Sequence, residues 1–124
     1  MSLVTRDLYL SLEDNKVNTK NHYCVYVIEL DKAVLNEKKF VAKNPNLDKS
    51  KKCYYIGMTG LSAETRFDRH KNGIKHNIYA QRYGIKLVPD LYKHLINLSF
   101  DDAVTKEIEL GNKLRSEHHA VWFA

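Results

Sequence analysis

The stretch from His22 to Leu30 constrains the fold of this chain more than any other. It packs Tyr23, Val25, Tyr26, Val27 and Ile28 into one short run. β-branched and aromatic residues at this density fit a strand in the interior of a sheet. A second run, Cys53 to Met58, has the same character, and Gly60 turns the chain after it. Between the two strands lies Asp31 to Lys52, with a helical turn expected around Ala33 to Glu37. A polar, basic loop with a proline follows from Lys43 to Lys52. Ser62 is a good helix N-cap, Glu64 suits the first turn and Gly73 suits the position past the end, so Ala63 to Asn72 reads as a helix. Ile78 to Tyr83 reads as a short helix before Gly84. Ile85 to Val88 is extended, and Pro89 ends it. Leu91 to Leu98 fits strand or helix equally. Asp101 or Asp102 is expected to cap a long helix that runs to about His118, and Val121-Trp122-Phe123 reads as a last short strand. Upstream, Leu8, Leu10 and Leu12 alternate with Tyr9 and Ser11, which predicts a short strand ending at the Asp14-Asn15 turn.

This order of elements predicts an α+β sandwich, a small mixed sheet with helices on its faces. Residues 1–20 read as an N-terminal extension and 21–124 as one domain with a basic insertion over 36–52. The 124 residues suit a single domain, and a hydrophobic fraction of 44% is enough for a core. The formal net charge is +5. A basic balance permits nucleic acid or an anionic surface as partner and proves neither. No apolar run is long enough to span a membrane, and no secretory pattern opens the chain, so a cytoplasmic location with no membrane partner is the expectation. Cys24 and Cys53 both fall in strand-like runs, where reduced, buried thiols are expected; a disulfide between them stays open. No Cys-x-x-Cys pair points to structural zinc.

Glu107 stands out chemically. At 3.6 residues per turn, Ala103, Val104, Leu110, Gly111 and Leu114 share one helix face. Glu107 sits at its centre, while Glu109 points the other way. A carboxylate aimed at a core must be paired, metal-bound or protonated. A buried ion pair, with Arg66 as one candidate partner, is the structural reading. Ligation of Mg²⁺ or Mn²⁺ is the functional one, because a hard dication is satisfied by one carboxylate, waters and a substrate phosphate. Arg66 and His70 are four apart on the predicted helix and share a face. Arg66 offers a planar fork suited to phosphate oxygens, and His70 can donate, accept or relay a proton. The alternative is an ordinary solvated face, which also carries Arg69 and Lys71. Tyr55 is followed by Gly57, which permits close approach of a ligand or backbone. His76 is within reach of a phosphate or is simply a loop histidine. His94 reads as structural or exposed. His118 and His119 are adjacent rather than one turn apart, so they make a poor metal clamp.

Tyr55-Ile56-Gly57, Arg66, His70 and Glu107, in this order, resemble the GIY-YIG nuclease superfamily. The second tripeptide of the motif is literal. Arg66 follows Tyr55 by eleven positions and His70 follows Arg66 by four. Ala103-x-x-x-Glu107 is similar to the family's metal-binding helix, and the likeness runs from about Tyr23 to Trp122. The first tripeptide reads Cys24-Val25-Tyr26, keeping the tyrosine and losing the glycine. The segment between the two motifs is longer than in many members. The asparagine that many members carry after the metal helix is replaced by His118-His119-Ala120.

The resemblance implies a small, mainly three-stranded antiparallel central sheet flanked by helices. It also implies hydrolysis of phosphodiester bonds in DNA, with RNA as the alternative, using Mg²⁺ or Mn²⁺. Glu107 would hold the metal, and Tyr55 or Tyr26 would accept the proton of the attacking water. Arg66 would stabilise the phosphate and His70 would orient the tyrosine or relay its proton. Lys43, Lys49, Lys51, Lys52, Arg69, Lys71 and His76 would contact nucleic acid, and a protein partner could supply targeting. Three rival readings stand beside this one. They are a nucleic-acid binder of the same fold without activity, a protein-interaction module whose Glu107 pairs internally, and an enzyme acting on a small anionic substrate.

Overall fold

The computed structural model describes residues 21–123; the strand expected over Leu8 to Leu12 lies outside them. The domain is α+β, with a four-stranded mixed sheet flanked by helices. Strand β1 (Cys24–Leu30) is buried along nearly its whole length, as its apolar run requires. A 3-10 turn (Lys32–Asn36) follows, opened by the Asp31 carboxylate accepting from Ala33 N–H. Helix α1 (Lys38–Ala42) comes next and buries Phe40. Strand β2 (Cys53–Thr59) pairs antiparallel with β1, with Tyr26 opposite Gly57 and Ile28 opposite Tyr55. Helix α2 (Ala63–Lys71) starts at Ser62, whose hydroxyl accepts from Thr65 N–H, and ends before Gly73 at φ 76°. Helix α3 (Ile78–Tyr83) is capped by the Asn77 side chain. Strand β3 (Gly84–Leu87) pairs antiparallel with β1 through an irregular register at Glu29/Leu30. Helix α4 (Phe100–Ser116) leads to β4 (Ala120–Trp122), which pairs parallel with β2. The strand order is therefore β3-β1-β2-β4, with β1 inside the sheet.

Three boundaries differ from the sequence reading, each for a local reason. Ser99 caps α4 by accepting from Asp102 N–H at 3.1 Å, so Asp101 and Asp102 lie inside the first turn, where their charge favours the helix dipole. Leu91 ends a 3-10 turn (Pro89–Leu91), and the rest of the segment, Tyr92 to Leu98, is neither strand nor helix. It is a chain of turns held to the start of β1 by an isolated bridge between Tyr23 and Leu98. The connection from β1 to β2 carries helix α1 and is pinned by Asn44, which is 1% exposed. Its Oδ1 accepts from Arg115 Nε at 3.0 Å and Val121 N–H at 2.9 Å, and its Nδ2 donates to Phe40 O at 2.8 Å. One amide thus joins the loop, α4 and β4. Cys24 and Cys53 are both free and buried. No helix among the described residues is long and apolar enough to cross a membrane.

Candidate active site

The register of β1 and β2 puts Tyr26 and Tyr55 on one face of the sheet. Paired residues of antiparallel strands point the same way, and so do residues two apart. Tyr26 is 1% exposed. Its phenol lies across Gly57 so closely that a Cβ there would come within 2.5 Å of the hydroxyl oxygen. Gly57 is thus required by the Tyr26 ring rather than by its own backbone conformation. The last turn of α2 carries His70 onto the same face, with Nε2 2.8 Å from the Tyr26 hydroxyl. The Tyr55 and His70 rings meet edge to face.

The other ring nitrogen fixes the direction of this chain of bonds. Asn77 backbone N–H donates to His70 Nδ1 at 2.9 Å. Nδ1 is therefore an acceptor, and the neutral ring carries its proton on Nε2. Nε2–H donates to the Tyr26 oxygen, and Tyr26 is left to donate its own proton onward. Its contact with the Tyr55 hydroxyl raises Tyr26 and lowers Tyr55, as expected when Tyr26 donates and Tyr55 accepts. The order is Asn77 N–H, His70, Tyr26, Tyr55, with Tyr55 at the end.

Electrostatics set the rest. Burial pushes the His70 pKa down to about 4, helped by the charges of Arg66 and His76. It is a neutral donor at physiological pH, not a proton shuttle. Burial also raises Tyr26 far above the usual phenol range. Tyr55 is raised first by burial and further by Glu107, and is lowered by the Tyr26 contact and by Arg66. Glu107, 5% exposed within α4, is thus within electrostatic range of both tyrosines. Tyr26, Tyr55, Arg66, His70 and Glu107 come from four elements and form one cluster.

Arg66 has a second task. Its Nη1 donates to Ile74 O at 3.3 Å and its Nη2 to Lys75 O, so it clamps the turn after α2. These two bonds use one N–H each of Nη1 and Nη2, out of the five N–H donors that an arginine carries.

The outlying residues separate into two groups. Lys49, Lys51, Arg69 and His76 are exposed. Lys71 is a staple, donating to Gln81 O at 2.8 Å and Gly84 O at 2.9 Å. Lys52 pairs with Glu29 at 3.1 Å, and Lys43 lies over the Trp122 ring. His118 and His119 direct Nδ1 at Asn46 O and Lys52 O, so both tether the basic loop to the end of α4. His94 is exposed. An open cleft at the other end of α2, lined by Cys24, Leu61, Glu64 and Tyr92, contains none of the clustered residues.

Sequence reasoning missed Asn77, which acts through its backbone and so leaves no signal in residue type. It also missed that no Asp or Glu occurs between Asp68 and Asp90, while Arg69, Lys71, Lys75, Arg82 and Lys86 do. A charge count along the chain finds that stretch.

The cluster offers one hard oxygen ligand, the Glu107 carboxylate, which fits Mg²⁺ or Mn²⁺ held largely by water and substrate. Among the described residues no three His, Cys, Asp or Glu side chains converge, so a cage of the zinc type does not fit. No family model matches the chain, and no curated protein or solved structure matches it either.

Proposed function

We propose that this domain is a metal-dependent endonuclease of the GIY-YIG type that hydrolyses phosphodiester bonds in DNA. The observation that carries the reading is the buried relay from Asn77 N–H through His70 and Tyr26 to Tyr55, ending beside Arg66 and Glu107. A structural aromatic cluster needs no ordered line of donors that leaves one half-buried phenol as terminal acceptor. A phenol that must give up its proton does need one, because its ordinary pKa of about 10 keeps it protonated at neutral pH. Burial and Glu107 raise the Tyr55 pKa on balance, while Tyr26 and Arg66 favour its phenolate, so a dication that offsets Glu107 would shift the balance toward ionisation. Tyr55 is accordingly the base toward the attacking water. Tyr26, donor to it and itself far harder to ionise, positions it.

When bound at Glu107, Mg²⁺ or Mn²⁺ would neutralise charge at the scissile phosphate and offset the carboxylate that now holds the Tyr55 proton in place. Arg66 would present its remaining N–H groups to the phosphate, with its orientation already set by the Ile74 and Lys75 carbonyls. Exposed Lys49 and Lys51, Arg69 and His76 suit contacts to the strand backbone, which give affinity without sequence information.

The test is nicking of supercoiled plasmid with Mg²⁺ or Mn²⁺ by the parent and by Glu107→Gln. The variant keeps the side-chain shape and loses the charge. The parent should cut, and the variant should lose on the order of 10²–10³ in rate or more while keeping its melting transition. A folded variant that cuts at the parental rate removes Glu107 from the mechanism. A parent that binds plasmid but never cuts leaves the reading of a nucleic-acid binder without activity, which the altered first tripeptide favours.

A further inference from the structure

We propose that the turn between α2 and α3, Gly73 to Asn77, is a fixed probe that inserts Ile74 into a groove of duplex DNA beside the candidate catalytic cluster. The partner class rests on the reading above; the observations are separate from it.

The turn is held from many sides. Gly73 N–H donates to His70 O at 3.1 Å and Ile74 N–H to Arg69 O at 2.8 Å. Arg66 takes the carbonyls of Ile74 and Lys75. Asn77 N–H is bound to His70, and His76 Nδ1 lies 3.0 Å from Gly73 O. Gly73 and Lys75 both sit at positive φ, 76° and 45°. A lysine in that region persists only where the surroundings dictate it.

At the crest of this turn Ile74 is 48% exposed, and Ile78 just beyond is 41% exposed. A lone exposed isoleucine needs no explanation. The location does, because the backbone that presents Ile74 is fixed by Arg66 and His70, the two α2 residues of the cluster. Whatever meets Ile74 also lies next to the guanidinium. The flanks are cationic. Exposed Arg69 and Lys75 stand on either side of Ile74 in the chain, and the nearest acid before the turn is Asp68, exposed on α2. An apolar wedge between cationic flanks is the arrangement by which proteins enter a base step while neutralising the adjacent phosphates. Because the turn is already ordered, insertion meets little further entropy loss.

The experiment uses the full chain without divalent metal, so that nothing is cut. The probe is a DNA duplex carrying 2-aminopurine at successive steps. The parent should bind with strong salt dependence and brighten the probe at one step as it unstacks. Ile74→Ser, at an exposed position and therefore expected to fold, should abolish the brightening and weaken binding about tenfold, with the salt dependence unchanged. Lys75→Asn, a residue that tolerates positive φ, should keep the brightening and lose about one phosphate's worth of salt dependence. The proposal is overturned if Ile74→Ser matches the parent in both readouts, or if the parent binds anionic vesicles and not duplex. Cleavage is scored separately. A parent that unstacks DNA through Ile74 yet never cuts supports the probe and removes the nuclease. A parent that cuts, with Ile74→Ser unchanged in binding and brightening, does the opposite.

Discussion

His70 should make this domain sensitive to acid well above the range in which carboxylates titrate. The ring is wholly buried, and both nitrogens are committed: Nδ1 accepts from Asn77 N–H at 2.9 Å, and Nε2 lies 2.8 Å from the Tyr26 hydroxyl. A second proton would set an N–H against the Asn77 N–H and place a charge in the core near Arg66. The folded pKa is accordingly held down to about 4, from 6.5 in an exposed histidine. The sign follows from which state binds the proton. Above pH 6.5 neither the folded nor the unfolded chain protonates this ring, and the full stability is present. As pH falls from there toward about 4, only the unfolded chain takes the proton, so stability is lost. At about 1.4 kcal/mol per pH unit the interval is worth roughly 3 kcal/mol, a large share of the stability of a small domain. Urea unfolding of the parent and of His70→Gln, compared between about pH 7 and about pH 4, isolates this contribution, because carboxylate titrations common to both cancel. The stability difference, parent minus variant, should fall by roughly 3 kcal/mol across that window. Parallel pH curves would refute the reasoning. So would an imidazole resonance of His70 titrating near or above 6.5, since the ring would then be solvated or paired with an acid and the relay to Tyr55 would not be ordered as described.

Two further changes probe the scaffold of the site. Gly57→Ala places a methyl against the Tyr26 phenol and must displace the ring from His70. A loss of about 1–3 kcal/mol is expected in denaturant unfolding, with the His70 resonance shifted; an unchanged spectrum would mean that Tyr26 is not seated against that glycine. Asn44→Ala removes the acceptor shared by Arg115 and Val121 and the donor to Phe40. Leaving those buried groups unpaired should destabilise by about 2–4 kcal/mol, and a loss below about 0.5 kcal/mol would show that water replaces the amide.

The amino-acid sequence by itself determined where the elements begin and end wherever the signal is local. The apolar run gives β1, Ser62 and Gly73 frame α2, and the 3.6-residue stripe gives α4 with Glu107 facing inward. Those follow from near-neighbour chemistry, capping and periodicity, which act over a few residues. Ser99 was missed as the α4 cap because two acids beyond it offered the same local cue. Tertiary structure alone decided which side chains meet. Only strand register could place Gly57 under Tyr26 rather than under its neighbours. Only the return of the chain after α2 could bring the Asn77 amide to His70, fix the tautomer and thereby order the two tyrosines. The basic loop was legible as polar and positively charged, yet its lysines divide between bound and free according to what packs beside them, Glu29 and Trp122 among them. Such contacts join residues far apart in the chain, so their energies depend on the folded geometry and not on any short window of residues.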